Sequence, residues 1–186
     1  MIPFRIIERP AFYVIGKKTW IAGQDNAIFG HFWGQCRAEG LFERFEQING
    51  RQAGPQTNSV TLGISRVEQD PARREFFYMI AIEGGELYRQ PPNCLEADLE
   101  TYLVPASQWA VFECRGQVPD SIVRSEIYAF TQWLPASEFV HAPAPEMEVY
   151  YPGSGQDDQY YCEFWLPIQR QWNLPRWDLP QKTSTL

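Results

Sequence analysis

The residues best suited to chemistry lie in two short runs near the C-terminal end. Glu146-Met147-Glu148-Val149-Tyr150-Tyr151 and Tyr160-Tyr161-Cys162-Glu163-Phe164-Trp165-Leu166 flank the turn-rich Gly153-Ser154-Gly155-Gln156-Asp157-Asp158. Period-two alternation marks both runs as strands and the segment between them as a hairpin turn. With the turn centred there, Tyr151 pairs near Tyr160 and Glu148 falls opposite Glu163. One face then carries Met147, Val149, Cys162, Phe164 and Leu166, a core face; the other carries Glu148, Tyr150, Glu163 and Trp165. Neighbouring carboxylates repel, so a sheet that keeps them solvates them, raises a pKa or holds them for a cation. Aromatic company favours the cation, which a ring face attracts by about 0.5–2 kcal/mol. The plain alternative is the solvent face of an antiparallel sheet.

A second hairpin upstream repeats the theme. Val60, Leu62 and Ile64 share a face with Phe77 and Met79, whereas Thr61, Gly63 and Ser65 share the other with Phe76 and Tyr78. Small residues beside rings leave space, which makes Tyr78 a candidate lining residue. Trp33 and Trp133 fall near the facing ends of two helical stretches, where they serve either the core or a pocket wall. His31 reads as a structural or surface histidine. Gly153-Ser154-Gly155 lacks the following helix that a phosphate loop requires, and no GxSxG elbow supports a Ser/His/Asp set.

Cys36, Cys94, Cys114 and Cys162 are far apart, with no CxxC and only His31 and His141 to assist. Neither a metal site nor a thioredoxin motif is expected, and the thiols read as reduced and buried. No cofactor is expected. With 16 Lys and Arg against 23 Asp and Glu, the net charge of −7 repels a phosphate backbone, so nucleic acid is not expected as a direct partner. No apolar run reaches the roughly 20 residues that span a bilayer, and the N-terminus lacks a secretory pattern, so neither a membrane partner nor export is expected, and a cytoplasmic location is the expectation. Aromatic residues make up 15% of the 186, more rings than a core of this size needs.

The elements that must position these residues follow from pattern and punctuation. Strands are expected at Phe4 to Ile7 with Phe12 to Ile15, Val60 to Ser65, Phe76 to Ile82, Leu99 to Val104 with Trp109 to Phe112, Met147 to Tyr151 and Tyr160 to Ile168. One helical stretch covers Asp25 to Ile48, with glycines at 30, 34 and 40 that bend or split it. Another opens at Pro119-Asp120-Ser121, runs Ile122, Glu126, Ile127, Phe130 and Leu134 along one side, and stops at Pro135. The halves, about 3–83 and 99–169, share one order: a strand broken by Pro-Ala (residues 10–11 and 105–106), a helix, then a hairpin. The chain therefore reads as α+β, a duplicated β-α-β-β with one antiparallel sheet, two principal helices on one side and pseudo-two-fold symmetry. Residues 1–169 form one domain joined through Gln90-Pro91-Pro92-Asn93; residues 170–186 form a partly disordered tail in which Trp172, Leu174 and Trp177 can clasp the surface.

The sequence resembles the GyrI-like small-molecule-binding domain, the effector-binding module of AraC-type and multidrug-responsive regulators, from about residue 3 to 169. The resemblance rests on the order of several segments: Glu8 to Gly16, Leu62-Gly63-Ile64 with Phe77-Tyr78-Met79, Val104-Pro105-Ala106 with Trp109 to Phe112, Trp133 to Ser137, Met147 to Tyr150 and Trp165 to Ile168. It implies the duplicated fold with a ligand groove between the helices over the sheet. It also implies that Glu148, with Tyr150, meets lipophilic, cationic ligands there. The ligand-binding set is thus Glu148, Tyr150, Glu163, Trp165, Tyr78, Trp133 and Trp33. No helix-turn-helix precedes the domain, so a stand-alone receptor or sequestering protein for a small lipophilic or cationic molecule is expected. The alternative is a hydrolase that opens cyclopropane-bearing alkylating toxins, with Glu148 and Glu163 as general base and partner.

Overall fold

The structure is a computed structural model that describes residues 1–51, 60–67, 74–84 and 98–171. The Gln90 to Asn93 connection, Cys94 and the Trp172 to Trp177 tail segment lie outside the described residues.

Among the described residues, nine strands form one antiparallel sheet: β1 Phe4–Arg9, β2 Phe12–Ala22, β3 Thr61–Arg66, β4 Glu75–Gly84, β5 Glu100–Val104, β6 Ser107–Arg115, β7 Phe139–His141, β8 Glu146–Tyr150 and β9 Tyr161–Arg170. Their order is β1-β6-β9-β8-β3-β4-β2-β5, with β7 beside β9. Read from either end toward the middle, the sheet repeats itself: β5-β2-β4-β3 on one side and β1-β6-β9-β8 on the other. The pseudo-two-fold therefore passes between β3 and β8, the central pair, and each half lends its first strand to the other's edge. Only Pro10 and Ala11 separate β1 from β2, and Pro105 and Ala106 separate β5 from β6. Such short links span about 10 Å, although the strands they join lie several positions apart. The sheet must curl to bring them together. Arg9 of β1 accordingly reaches Glu83 of β4 at 2.8 Å and lies over the Phe12 ring at 4.1 Å.

The inner face of this curl holds Val14, Leu62, Ile64, Trp109, Val111, Met147, Val149 and Trp165 in one apolar core. Helices cover the outer face. The expected first helix is split into α1 Ala27–Ala38 and α2 Leu41–Arg51, because Gly40 takes φ +74 and its N–H returns to the Arg37 carbonyl. Phe32 and Cys36 of α1 with Leu41, Phe45 and Ile48 of α2 pack on Ile15, Ile21, Ile80 and Ile82. On the other half, Ile122 of α3 Asp120–Tyr128 and Ala129 just beyond it sit on Phe112, Cys114, Cys162 and Phe164. Pattern predicts the second helix to stop at Pro135; it instead passes through a wide π turn, Ala129–Trp133, and ends at Ala136.

The β8–β9 register differs from expectation by one residue. Tyr150 pairs with Cys162, Glu148 with Phe164 and Met147 with Trp165, so Glu163 stands opposite Val149. The cause is the turn. Tyr160 belongs to the loop, where its N–H donates to the Asp157 carbonyl and its hydroxyl donates to the Tyr151 carbonyl at 2.7 Å. Glu163 and Trp165 consequently share the inner face with Met147 and Val149, while Cys162, Phe164 and Leu166 share the outer face with Glu148 and Tyr150.

Candidate functional site: the seam between the two halves

The middle of the sheet is where the helices leave room. The α1–α2 pair packs over β2 and β4 and α3 packs over β6 and β9, so the outer faces of β3 and β8 lie between them. Glu148 of β8 is directly opposite Gly63 of β3, on the symmetry seam. A Cβ at position 63 would come within 2.3 Å of Glu148 Oε2 and 2.4 Å of the Tyr78 hydroxyl. Glycine therefore lets Tyr78 of β4 reach across β3. Its hydroxyl donates to Glu148 Oε2 at 2.7 Å, and the Tyr150 hydroxyl donates to the same oxygen at 2.9 Å. From α1, Trp33 Nε1 donates to the Tyr78 oxygen at 3.0 Å, and its ring meets Tyr150 edge-on at a centroid distance of 5.0 Å. Phe29 closes the other side of Tyr78, edge-on at 4.9 Å.

Burial pushes the Glu148 carboxyl above its ordinary range; the two tyrosine hydroxyls pull the other way, and Glu146 adds to the rise. Burial and the nearby Glu148 hold both phenols well above their usual value, so both remain donors. Among the described residues no cation is paired with Glu148. Two further carboxylates share the outer face. Glu146 meets His141 Nε2 at 3.0 Å, and Phe130 of the π turn stacks on that imidazole. Glu126 of α3 is raised to about 7, by burial first and then by Glu146 and Glu148. Sequence reasoning placed Glu126 in the apolar stripe of its helix without assigning it a role. A carboxylate in such a stripe was the available signal.

Four of the expected site residues, Glu148, Tyr150, Tyr78 and Trp33, thus come together. Three do not. Trp133 closes the wide turn, which shifts the phase of the helix, and packs on Phe4 at 5.2 Å, Phe112 at 5.3 Å and Phe139 at 6.0 Å. Glu163 and Trp165 face the inside of the curl. There Glu163 is 1% exposed and accepts bonds from Arg5 at 2.8 Å, Tyr161 at 2.6 Å and Trp165 Nε1 at 2.8 Å. Burial alone would raise its carboxyl, but these donors hold it below the ordinary range. The juxtaposed pair Glu148 and Glu163 expected from the sequence is therefore absent. A cavity of about 200 Å³ opens on this inner face between Arg9, Phe12, Glu83, Tyr151 and Trp165. Its charges already answer each other, Arg9 to Glu83 at 2.8 Å, so it presents a cation with no free carboxylate.

Comparison with curated proteins returns no match. Solved structures share the fold. SAV2435 bound to tetraphenylphosphonium superposes with a TM-score of 0.70 at 20% identity, over 90% of this chain and 94% of that one. An integron cassette protein of Vibrio cholerae gives 0.61 at 15% identity, over 89% and 95%. A hydrolase of Listeria innocua gives 0.52 at 10% identity, over 89% and 91%. Residues 2–169 match the GyrI-like small molecule binding domain, and the chain belongs to that family.

Proposed function

We propose that the protein captures lipophilic, cationic aromatic molecules over the β3–β8 seam, with Glu148 supplying the charge and Trp33, Tyr78 and Tyr150 the ring surface. The observation that carries this reading is the state of Glu148. Its carboxylate is oriented by two hydroxyl donors, surrounded by rings and paired with no cation among the described residues. Such a group lacks the charge partner that burial calls for, and a ligand cation supplies it. The fold neighbour SAV2435 bound to tetraphenylphosphonium, a lipophilic cation, supports the same chemistry. The net charge of −7 favours approach of cations from solution.

The test is calorimetric titration with tetraphenylphosphonium and with neutral triphenylphosphine oxide, on the wild type and on Glu148→Gln. The amide keeps the shape and removes the charge. Affinity for the cation is expected to fall by about 1–3 kcal/mol, with the neutral compound nearly unaffected. Equal losses for both compounds, or none for either, would remove Glu148 from the site. Hydrolysis by Glu148 and Glu163 acting on one water finds no support, since the two carboxylates lie on opposite faces of the sheet.

A further inference from the structure

Beneath α3, on the same outer face as the groove, two cysteines are held side by side. Cys114 of β6 and Cys162 of β9 are register partners, and both are free and buried. The N–H of Gly116 donates to the Tyr160 carbonyl at 2.9 Å. The antiparallel alternation therefore puts 114 and 162 at a hydrogen-bonded pair, whose Cα atoms are about 5.5 Å apart. Disulfides take Cα separations of about 4.4–6.8 Å, which this pair meets; their Cβ separation of about 3.5–4.5 Å is shorter than the roughly 5.5 Å of a hydrogen-bonded pair, so closure asks for a small local twist of the two strands. Both side chains point to the outer face, where they pack in one apolar cluster. Ser121 and Ser125 of α3 lie over them, with the Ser121 oxygen 3.8 Å from Cys162 Sγ.

We propose that Cys114 and Cys162 are an oxidative modification site, at which a peroxide converts the pair to an intramolecular disulfide in the folded protein. The thiolate of Cys162 attacks one peroxide oxygen, the O–O bond breaks, and the departing hydroxide leaves as water once protonated. The sulfenic acid so formed is attacked by Cys114, whose proton leaves with the sulfenic oxygen as a second water. Two thiols and one hydrogen peroxide thus become one disulfide and two waters, and an external thiol reverses the change by exchange. Cys162 is the partner suited to the first step. The bond from Cys114 lowers its pKa despite burial, and Ser121 assists; the same contact raises the Cys114 thiol. Access comes from position. Arg115 and Tyr161 form the last pair of the ladder beyond them, and Gly116 turns the chain at φ +111. A peroxide reaches the pair through local opening of this strand end and α3, which takes less free energy than global unfolding. Cys162 is also the β9 partner of Tyr150, which places the modification one strand from Glu148.

The site is tested on the full chain with hydrogen peroxide, alkylation of remaining thiols after denaturation, and peptide mass spectrometry. Cys94 and Cys114 share one tryptic peptide, so the digestion includes chymotrypsin. The expected product is a linked peptide joining Cys114 and Cys162, lighter by two hydrogens, restored by dithiothreitol, with Cys36 alkylated as a free thiol. The link should vanish in Cys114→Ala and in Cys162→Ala, whereas its presence in the wild type is scored independently of how those variants fold. Cys114 and Cys162 recovered as free thiols or as separate sulfinic acids, or a bridge joining Cys94 to either, would overturn the proposal.

Discussion

Tyr78 and Glu148 come from strands that are not neighbours, yet their side chains meet at 2.7 Å above the bare Cα of Gly63 on the strand between them. The glycine is thus part of the site without offering it an atom. Gly63→Ala would put a methyl group where the hydroxyl and the carboxylate oxygen now stand. Both displaced atoms are side-chain ends, so the fold should survive with a loss on the order of 1–3 kcal/mol. Binding of tetraphenylphosphonium should suffer more, by tenfold or more on the order-of-magnitude scale of a lost charged hydrogen bond. Thermal melting and calorimetry on the same sample check both halves of this expectation. Unchanged affinity would show that the Tyr78–Glu148 contact is irrelevant to the ligand.

Tyr150 donates its hydroxyl to Glu148 and stabilises the ionised form. Tyr150→Phe keeps the ring that meets Trp33 and removes that bond. The Glu148 carboxyl should then titrate higher than it already does, because burial is opposed by one hydroxyl instead of two. Cation affinity near neutral pH should drop by roughly 0.5–1.5 kcal/mol and recover as pH rises. A loss that is the same at every pH would assign Tyr150 to packing alone.

Glu126 tests the electrostatics around Glu148 without any ligand. Its carboxyl is raised from 4.5 to about 7, chiefly by burial, then by Glu146 and Glu148, with Arg74 easing the rise. The folded protein therefore holds this proton more tightly than the unfolded chain. Stability contributed by the neutral form is complete below about pH 4.5, falls as pH climbs toward 7, and is gone above it. Glu126→Gln should raise the melting temperature at pH 8 and leave it unchanged at pH 4. The expected gain is about 1–3 kcal/mol, allowing for partial exposure. Equal effects at both pH values would place the cause in packing.

Much of this arrangement was legible in the sequence because it is local. Strand parity in β3, β4 and β8 follows from alternation within each run, and it puts Gly63 with Tyr78 on one face of the first hairpin and Glu148 with Tyr150 on one face of the second. The duplication was legible from the Pro-broken strands and the recurring helix and hairpin. The parity of β9 was not. That strand is buried on both faces, so its alternation carries no contrast. Its register is set by a turn whose bonds, Tyr160 to Tyr151 among them, no composition signal reveals. Burial of Glu163 depends on Arg5, 158 residues away in the chain. Trp133 packs away from Glu148 for a related reason: a π turn changes a period that pattern reading takes as constant. The curl of the sheet also comes from distance, since short Pro-Ala links must join strands that the ladder sets apart.

Glu163 supplies the sharpest check on the assignment of faces. It carries the same charge as Glu148 and lies on the adjacent strand, but it is enclosed inside the curl and bonded to Arg5, Tyr161 and Trp165. Its carboxyl titrates below the ordinary range because those donors outweigh burial. The stability it contributes is present above the unfolded value near 4.5 and is lost as pH falls through the lower folded value. Glu163→Gln keeps the shape and leaves Arg5 without its anion, so it should cost about 1–3 kcal/mol at neutral pH and flatten the acid limb of the stability profile. Affinity for tetraphenylphosphonium should stay within about twofold of the wild type, since the side chain lies on the face opposite Glu148. A fall as large as that of Glu148→Gln, in a variant that still melts cooperatively, would mean that both carboxylates meet the ligand and that the β8–β9 register is one residue from that described.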